Sequence, residues 1–388
     1  MKNARAMQIQ QEPPLHLTYC LNIHPGETWA DQLYALRSKA VSVRNRVAAG
    51  RPFGLGLRLG RRAAEELAQP GARAELKDLL AHERMYVFSI NGFPYGPFHG
   101  TRVKDHVYAP DWREPARLEY TNLLADILAD LLPENVAGSI STVPGSFRPW
   151  IRTRLDVHVM AENLLNCVDH LVALHARTGR EIHLGLEPEP GCFLETTEDF
   201  LRFYFLQLLP INEKRVRLHL GLCLDTCHQA LQFEDPAASL ARLAELGVRV
   251  SKVQLSAALE ADAVPAALAA LRAFDEPVYL HQARLRRPDG TQRAWRDLPD
   301  ALRELERGPA EGALRVHYHV PLFWEGAGAV RSTASGLSPT FFARLKLGAT
   351  EHVEIETYTF SVLPAPLRAA GVVDSLAREY AWALARLA

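Results

Sequence analysis

Carboxylates, histidines and amides gather at the ends of apolar runs in this chain. Glu187 and Glu189 close the run in HLGLEPEPG, Asp225 ends LCLDTCH ahead of His228, and Lys252 and Gln254 alternate in SKVQLS. His317 and His319 alternate in VHYHVP, as do Glu354 and Glu356 in VEIETY, and His24 and Asn91 follow earlier apolar runs. Side chains of an extended strand repeat every two residues, so each alternating pair shares one face, where polar groups are costly unless partnered. Each pair taken alone is as well explained by neighbouring ions or backbone; their repetition along the chain favours a shared site. A ring of two glutamates, an aspartate and an amide oxygen is an oxygen-rich shell suited to Mg²⁺ or Mn²⁺, with Zn²⁺ or Co²⁺ admitted by the nearby histidines. A cation there would relieve the repulsion among clustered carboxylates.

The elements that must position these residues alternate between short β-branched runs and segments of helical period. Strands are expected over 17–23, 53–59, 85–91, 136–143, 250–255, 277–282, 314–320 and 352–358, with IHLGLE and RLHLGLCLD between them. Met160, Leu164, Val168, Leu171 and Val172 keep a helical stripe, and TTEDF opens a further helix. A βα repeat sustained over about 350 residues fits a (β/α)₈ TIM barrel, whose functional groups sit at the C-terminal ends of its strands. The count of about nine or ten strand-like runs exceeds the eight of the barrel, so at least one lies outside it. PVYLHQARLRRPDGTQRAW reads as a hairpin turning at PDG. The expectation is therefore one barrel domain over 1–388 with an insertion around 275–330. NIHPGETW lacks the glycine pattern of a dinucleotide-binding turn, which disfavours an open doubly wound sheet.

Composition narrows the partners. The 388 residues are 48% apolar, enough for a sizeable core, and the chain is neither disordered nor fibrous in character. With 44 basic and 45 acidic residues, bulk charge gives no reason to expect nucleic acid or a membrane surface as partner. No apolar run approaches the roughly 20 residues of a membrane span, so no stable membrane insertion is expected. The N-terminal stretch MKNARAMQIQQEPP lacks the apolar region of a secretory signal, and a cytoplasmic protein is the simplest expectation. The odd, scattered set Cys20, Cys167, Cys192, Cys223 and Cys227 argues against a disulfide framework, and Cys223 and Cys227 read better as core thiols than as metal ligands. A small polyol or sugar-like molecule is the expected partner, and a homo-oligomer is compatible with this reading.

The order Glu187, Asp225-x-x-His228, Lys252-x-Gln254 and Glu356 resembles the xylose isomerase-like sugar isomerase and epimerase superfamily. The phrases NIHPGETW, NGFPYGPFHG, HYHVPLF and HVEIETYTFSVLP look more narrowly like the metabolite traffic proteins of the EboE family. The resemblance implies a metal-bearing TIM barrel with Glu187, Asp225, Gln254 and Glu356 as ligands. It implies that Glu187 and Glu356 move a proton on either side of a substrate carbon through an enediolate, in an isomerase, epimerase or dehydratase of a sugar-like or cyclitol-like polyol. Glutamine at 254 stands where histidine is the commoner ligand. Glu356 is chosen over Glu354 because it lies nearer the strand's C-terminal end, and Glu187 over Glu189 because Pro188 opens the loop. Were LRVHYHVP the eighth barrel strand, His319 would take the fourth ligand position instead.

His24, Asn91, His228, Lys252, His281 and His319 are the expected substrate contacts. The loop 91–106 reads equally as a lid or as plain surface, and Arg284, Arg286, Arg287 and Arg293 as a solvated hairpin rather than an anion site. Two other functions fit the fold. A non-catalytic barrel that binds or carries a metabolite is one; an endonuclease IV-like hydrolase is disfavoured by a net charge of −1.

Overall fold

A computed structural model of the chain describes residues 7–48, 50–308 and 311–387. A short strand β1 (Gln8–Gln11) lies antiparallel to β2 (Pro14–Tyr19), the first strand of the barrel. β3 (Phe53–Arg58), β4 (Met85–Asn91), β5 (Gly138–Thr142), β6 (Ile182–Leu186), β7 (Leu220–Asp225) and β8 (Val250–Leu255) follow side by side and parallel. The chain then leaves the barrel for an antiparallel sheet of β9 (Leu259–Asp262), β10 (Ala283–Arg286), β11 (Gln292–Trp295), β12 (Ala313–Val316), β13 (Gly326–Ala327) and β14 (Val330–Ser332). It returns as β15 (His352–Ile355), parallel to both β8 and β2, and a parallel bridge between Cys20 and Gly56 closes the ring. The fold is a (β/α)₈ barrel with an extra antiparallel sheet inserted late in the chain. HVEIETY supplies the eighth barrel strand.

The expected strands change where other partners take the backbone. No ladder forms over 277–282, because Val278 and Tyr279 donate their N–H groups to the Glu276 carboxylate and His281 donates to Asp297. Strand 314–320 stops at Val316, and the first barrel strand stops at Tyr19 before a 3₁₀ turn, Leu21–Ile23. The hairpin at PDG forms between β10 and β11, with Gly290 at φ +84° in the turn. The helix Arg154–Thr178 buries Met160, Leu164, Val168 and Leu171, and Thr196 caps the helix Thr197–Phe203 by accepting from Asp199 N–H. All five cysteines are buried free thiols.

Period two explains what fills the barrel. Along β15, His352, Glu354 and Glu356 stand at alternate positions; Lys252 and Gln254 do so on β8, as do Ser89 and Asn91 at the end of β4. Lys252 forms an ion pair with Glu354 in the middle of the barrel, both fully buried, and also donates to Ser89. Burial disfavours the Lys252 ammonium, but Glu354 beside it outweighs this and raises its pKa. Glycine in β3 makes the room: a Cβ on Gly56 would collide with Glu354 Oε1.

A second buried carboxylate braces the C-terminal helix, Val372–Leu387. Glu379 accepts from Thr357 Oγ1 at 2.7 Å and from Leu322 N–H at 3.1 Å, and burial pushes its pKa up to about 7. A carboxyl raised on folding favours the protonated native state, so its stabilising effect is present below the ordinary carboxylate range and fades as pH rises through about 7. Glu379→Gln protein is therefore expected to exceed wild type in stability by up to about 3 kcal/mol near pH ~8, with the gap closing toward pH ~4.5. Urea denaturation at both pH values measures it, and a pH-independent difference would refute the assignment.

Candidate metal and substrate site

The C-terminal ends of the barrel strands open into a cleft. Asn22, Asn91, Glu187, Glu189, His228, His317 and Glu356 supply its polar lining, and Phe93, Phe98, Tyr108, Tyr279 and Tyr358 supply aromatic walls. Glu187 and Glu356 of that lining meet Asp225 just behind it: ligand oxygens of the three all lie within 4.8 Å of one another, and all three residues are buried. Each sits at or just past the end of its strand, which is why the three converge.

The partners of these carboxylates are uneven. Glu356 Oε1 accepts from Asn22 Nδ2 at 2.6 Å and Asn91 Nδ2 at 3.1 Å, and its Oε2 accepts from the Gln254 amide. Asp225 Oδ1 caps the following helical turn, accepting from His228 N–H at 2.9 Å and from the Ser256 hydroxyl at 2.7 Å. Asp225 Oδ2 and Glu187 Oε2 are buried with no hydrogen-bond partner. Burial and the mutual repulsion of these groups push the Glu187 and Glu356 carboxyls well above the ordinary range. Burial opposes ionisation of Asp225 too, but His228, His319 and its two hydrogen bonds prevail and hold its pKa low. Three carboxylates gathered in a buried site, two of them with an unpartnered oxygen, match what a hard divalent cation requires.

Gln254 joins the cluster through its nitrogen. Its amide oxygen accepts from the Cys223 thiol at 2.8 Å while the NH₂ points at Glu356. Turning the amide over would present the oxygen to a cation and release Cys223.

The other expected residues divide. Asn91 and His228 line the cleft, and His319 lies directly behind it, its Nδ1 3.0 Å from the Glu356 carbonyl. Lys252 is one layer down with Glu354 and does not line the cleft. His24 is buried against the Tyr19 hydroxyl at 3.0 Å, and burial lowers its pKa to about 3. His281 is held by Glu276 and by the His317 carbonyl, both at 2.7 Å, and stacks on Tyr318. It therefore fixes the inserted segment instead of facing the cleft. The loop 91–106 contributes Phe93, Pro94, Phe98, Val103 and Lys104 to the lining, and Val103 and Lys104 donate their N–H groups to the Val278 carbonyl of the insertion. Arg284 pairs with Glu195 and Arg293 with Glu304, Arg286 packs over Phe233, and none of the four hairpin arginines lines the cleft.

Sequence reasoning missed Asn22, Tyr108 and Gln282. Tyr108 donates to Glu189 at 2.7 Å, and Gln282 donates to Glu189 and to the Tyr108 hydroxyl. Asn22 lies two residues before His24, and only the 3₁₀ turn after β2 aims it at Glu356.

No protein-family profile matches the chain, and no curated protein is similar to it in sequence. Solved structures do match. One of L-ribulose 3-epimerase is 12% identical over 96% of this chain and 94% of its own, with a TM-score of 0.51. A xylose isomerase-like TIM barrel protein from Mycobacterium smegmatis in complex with magnesium is 12% identical, covering 96% of both chains, with a TM-score of 0.52. At that identity the likeness is one of fold: the chain has the xylose isomerase-like TIM-barrel fold.

Proposed function

We propose that the protein is a divalent-metal-dependent isomerase or epimerase of a sugar-like or cyclitol-like polyol. The observation that carries this reading is the buried triad of Glu187, Asp225 and Glu356, two of which line the cleft, with two carboxylate oxygens left unpartnered. The L-ribulose 3-epimerase and the magnesium-bound barrel that share the fold support both the reaction class and the ion. The motif phrases similar to EboE proteins support a place for the chain in that group.

Glu187, Asp225 and Glu356 would hold Mn²⁺ or Mg²⁺, with Gln254 completing the set through its amide oxygen once turned. A bound cation supplies a Lewis acid that polarises a carbonyl. Glu187 and Glu356 would be the two carboxylates that remove and return a carbon-bound proton. Asn22 and Asn91 fix the orientation of Glu356. His228 lines the cleft beside these carboxylates, and the aromatic walls shed water from it.

The test is solvent exchange. Keto-sugars and inososes incubated with Mn²⁺-loaded protein in D₂O are expected to gain deuterium at the carbon beside the carbonyl, and Glu356→Gln is expected to slow this by at least about 100-fold. No exchange across the panel by protein that retains its ion would overturn catalysis in favour of a metabolite-binding barrel.

A further inference from the structure

The insertion brings two histidines onto a third, and their hydrogen bonds determine which nitrogen carries the proton. His228 Nδ1 lies 3.1 Å from the Pro188 carbonyl, His317 Nδ1 2.7 Å from Gln282 Oε1, and His319 Nδ1 3.0 Å from the Glu356 carbonyl. Gln282 is held in that orientation because its NH₂ donates to Tyr108, Glu189 and the Pro190 carbonyl. All three partners of the Nδ1 atoms are oxygens that only accept, so each Nδ1 carries the hydrogen and each Nε2 presents a lone pair. Yet His317 Nε2 lies 3.2 Å from His228 Nε2 and 3.1 Å from His319 Nε2.

His317 Nε2 thus faces the lone pairs of two neighbouring rings at once, an arrangement that needs an electrophile between them. A proton bridges only one pair, and the Tyr358 hydroxyl, 3.4 Å from His317 Nε2, offers one long bond to one ring. A tetrahedral ion with metal–nitrogen bonds of about 2.0–2.1 Å would set its ligand nitrogens about 3.3 Å apart, close to the 3.2 and 3.1 Å that separate His317 Nε2 from its two neighbours. Anchoring of Nδ1–H on a carbonyl or amide oxygen is also how metal-binding imidazoles are oriented. Asp225, with its unpartnered Oδ2, groups with His228 and His319 within 4.8 Å as well as with Glu187 and Glu356.

We infer that His228, His317 and His319 form a second metal site beside the carboxylate cluster, with Asp225 able to serve both. Three imidazoles and one carboxylate suit Zn²⁺ or Co²⁺ and not Mg²⁺. The inference rests on the nitrogen geometry and does not depend on the isomerase reading.

Titration of metal-stripped protein with CoCl₂, followed by visible absorption and elemental mass spectrometry, tests it. Wild type is expected to take up about two Co²⁺ per chain and to show the intense d–d bands of four-coordinate Co²⁺. His317→Gln and His319→Gln are expected to lose those bands and about one ion, whereas Glu187→Gln keeps the bands and loses the other ion. The site is refuted if wild type lacks the bands, if a folded His317→Gln protein keeps them, or if Glu187→Gln abolishes them. Circular dichroism checks folding. Should both histidine variants misfold, wild type and Glu187→Gln still decide: bands in both support the site, and absence from either refutes it. Loss of Mn²⁺ binding in Glu187→Gln with the Co²⁺ bands intact separates this site from the carboxylate centre.

Discussion

Glu187→Gln and Asp225→Asn proteins are expected to bind Mn²⁺ at least about 100-fold more weakly than wild type, since even an outer-shell partner of a ligand is worth about 10–100-fold. Asn22→Ala and Asn91→Ala fall in that smaller range, because they only release Glu356 from its two amide donors. Titration calorimetry on metal-stripped proteins measures all four. The metal-free protein is expected to show the opposite trend in stability. Glu187 and Glu356 have carboxyls raised by burial and by each other, so folding favours their protonated forms. Stability of the metal-free chain is then greatest below the ordinary carboxylate range and falls as pH rises through the raised values. Glu187→Gln removes one repelled charge, so it stabilises the metal-free chain near neutral pH while it destroys ion binding. Unchanged Mn²⁺ affinity in Glu187→Gln would remove the metal centre from this cleft.

Lys252→Met is expected to cost about 3–5 kcal/mol in urea denaturation, because it leaves Glu354 ionisable, buried and without a counter-charge. Glu354 Oε2 pairs with Lys252 and its Oε1 has no hydrogen-bond partner, and among the described residues no other cation forms an ion pair with it. The Lys252→Met/Glu354→Gln double variant is expected to recover much of that loss, since the uncompensated charge goes with its partner. A cost below about 1 kcal/mol for Lys252→Met would contradict a central ion pair. The pair lies two residues, one inward-facing layer, below Gln254 and Glu356, so the single variant is also expected to loosen the shell above it.

The barrel and most of its strand-end polar groups are readable from the chain because both follow from short-range rules. Strand and helix periods alternate along the sequence, and parallel βα connections bring every strand's C-terminal end to one rim, so Glu187, Asp225 and Glu356 had to meet there. The separation of Glu354 from Glu356 also follows from period two, which sends the inner residue to Lys252 and the outer one to the cleft. Period two stops serving where the strand does. β2 ends at Tyr19, so the 3₁₀ turn selects Asn22 for the site and leaves His24 against Tyr19. His317 and His319 alternate like strand residues, but they lie past the end of β12, on irregular chain tied to Gln282, Ala257 and Glu356. Their convergence on His228 depends on contacts between segments far apart in sequence, as does the turn of the Gln254 amide toward Glu356. Local periodicity places a residue on a face and at a rim; hydrogen bonds between distant segments choose which atom it presents there.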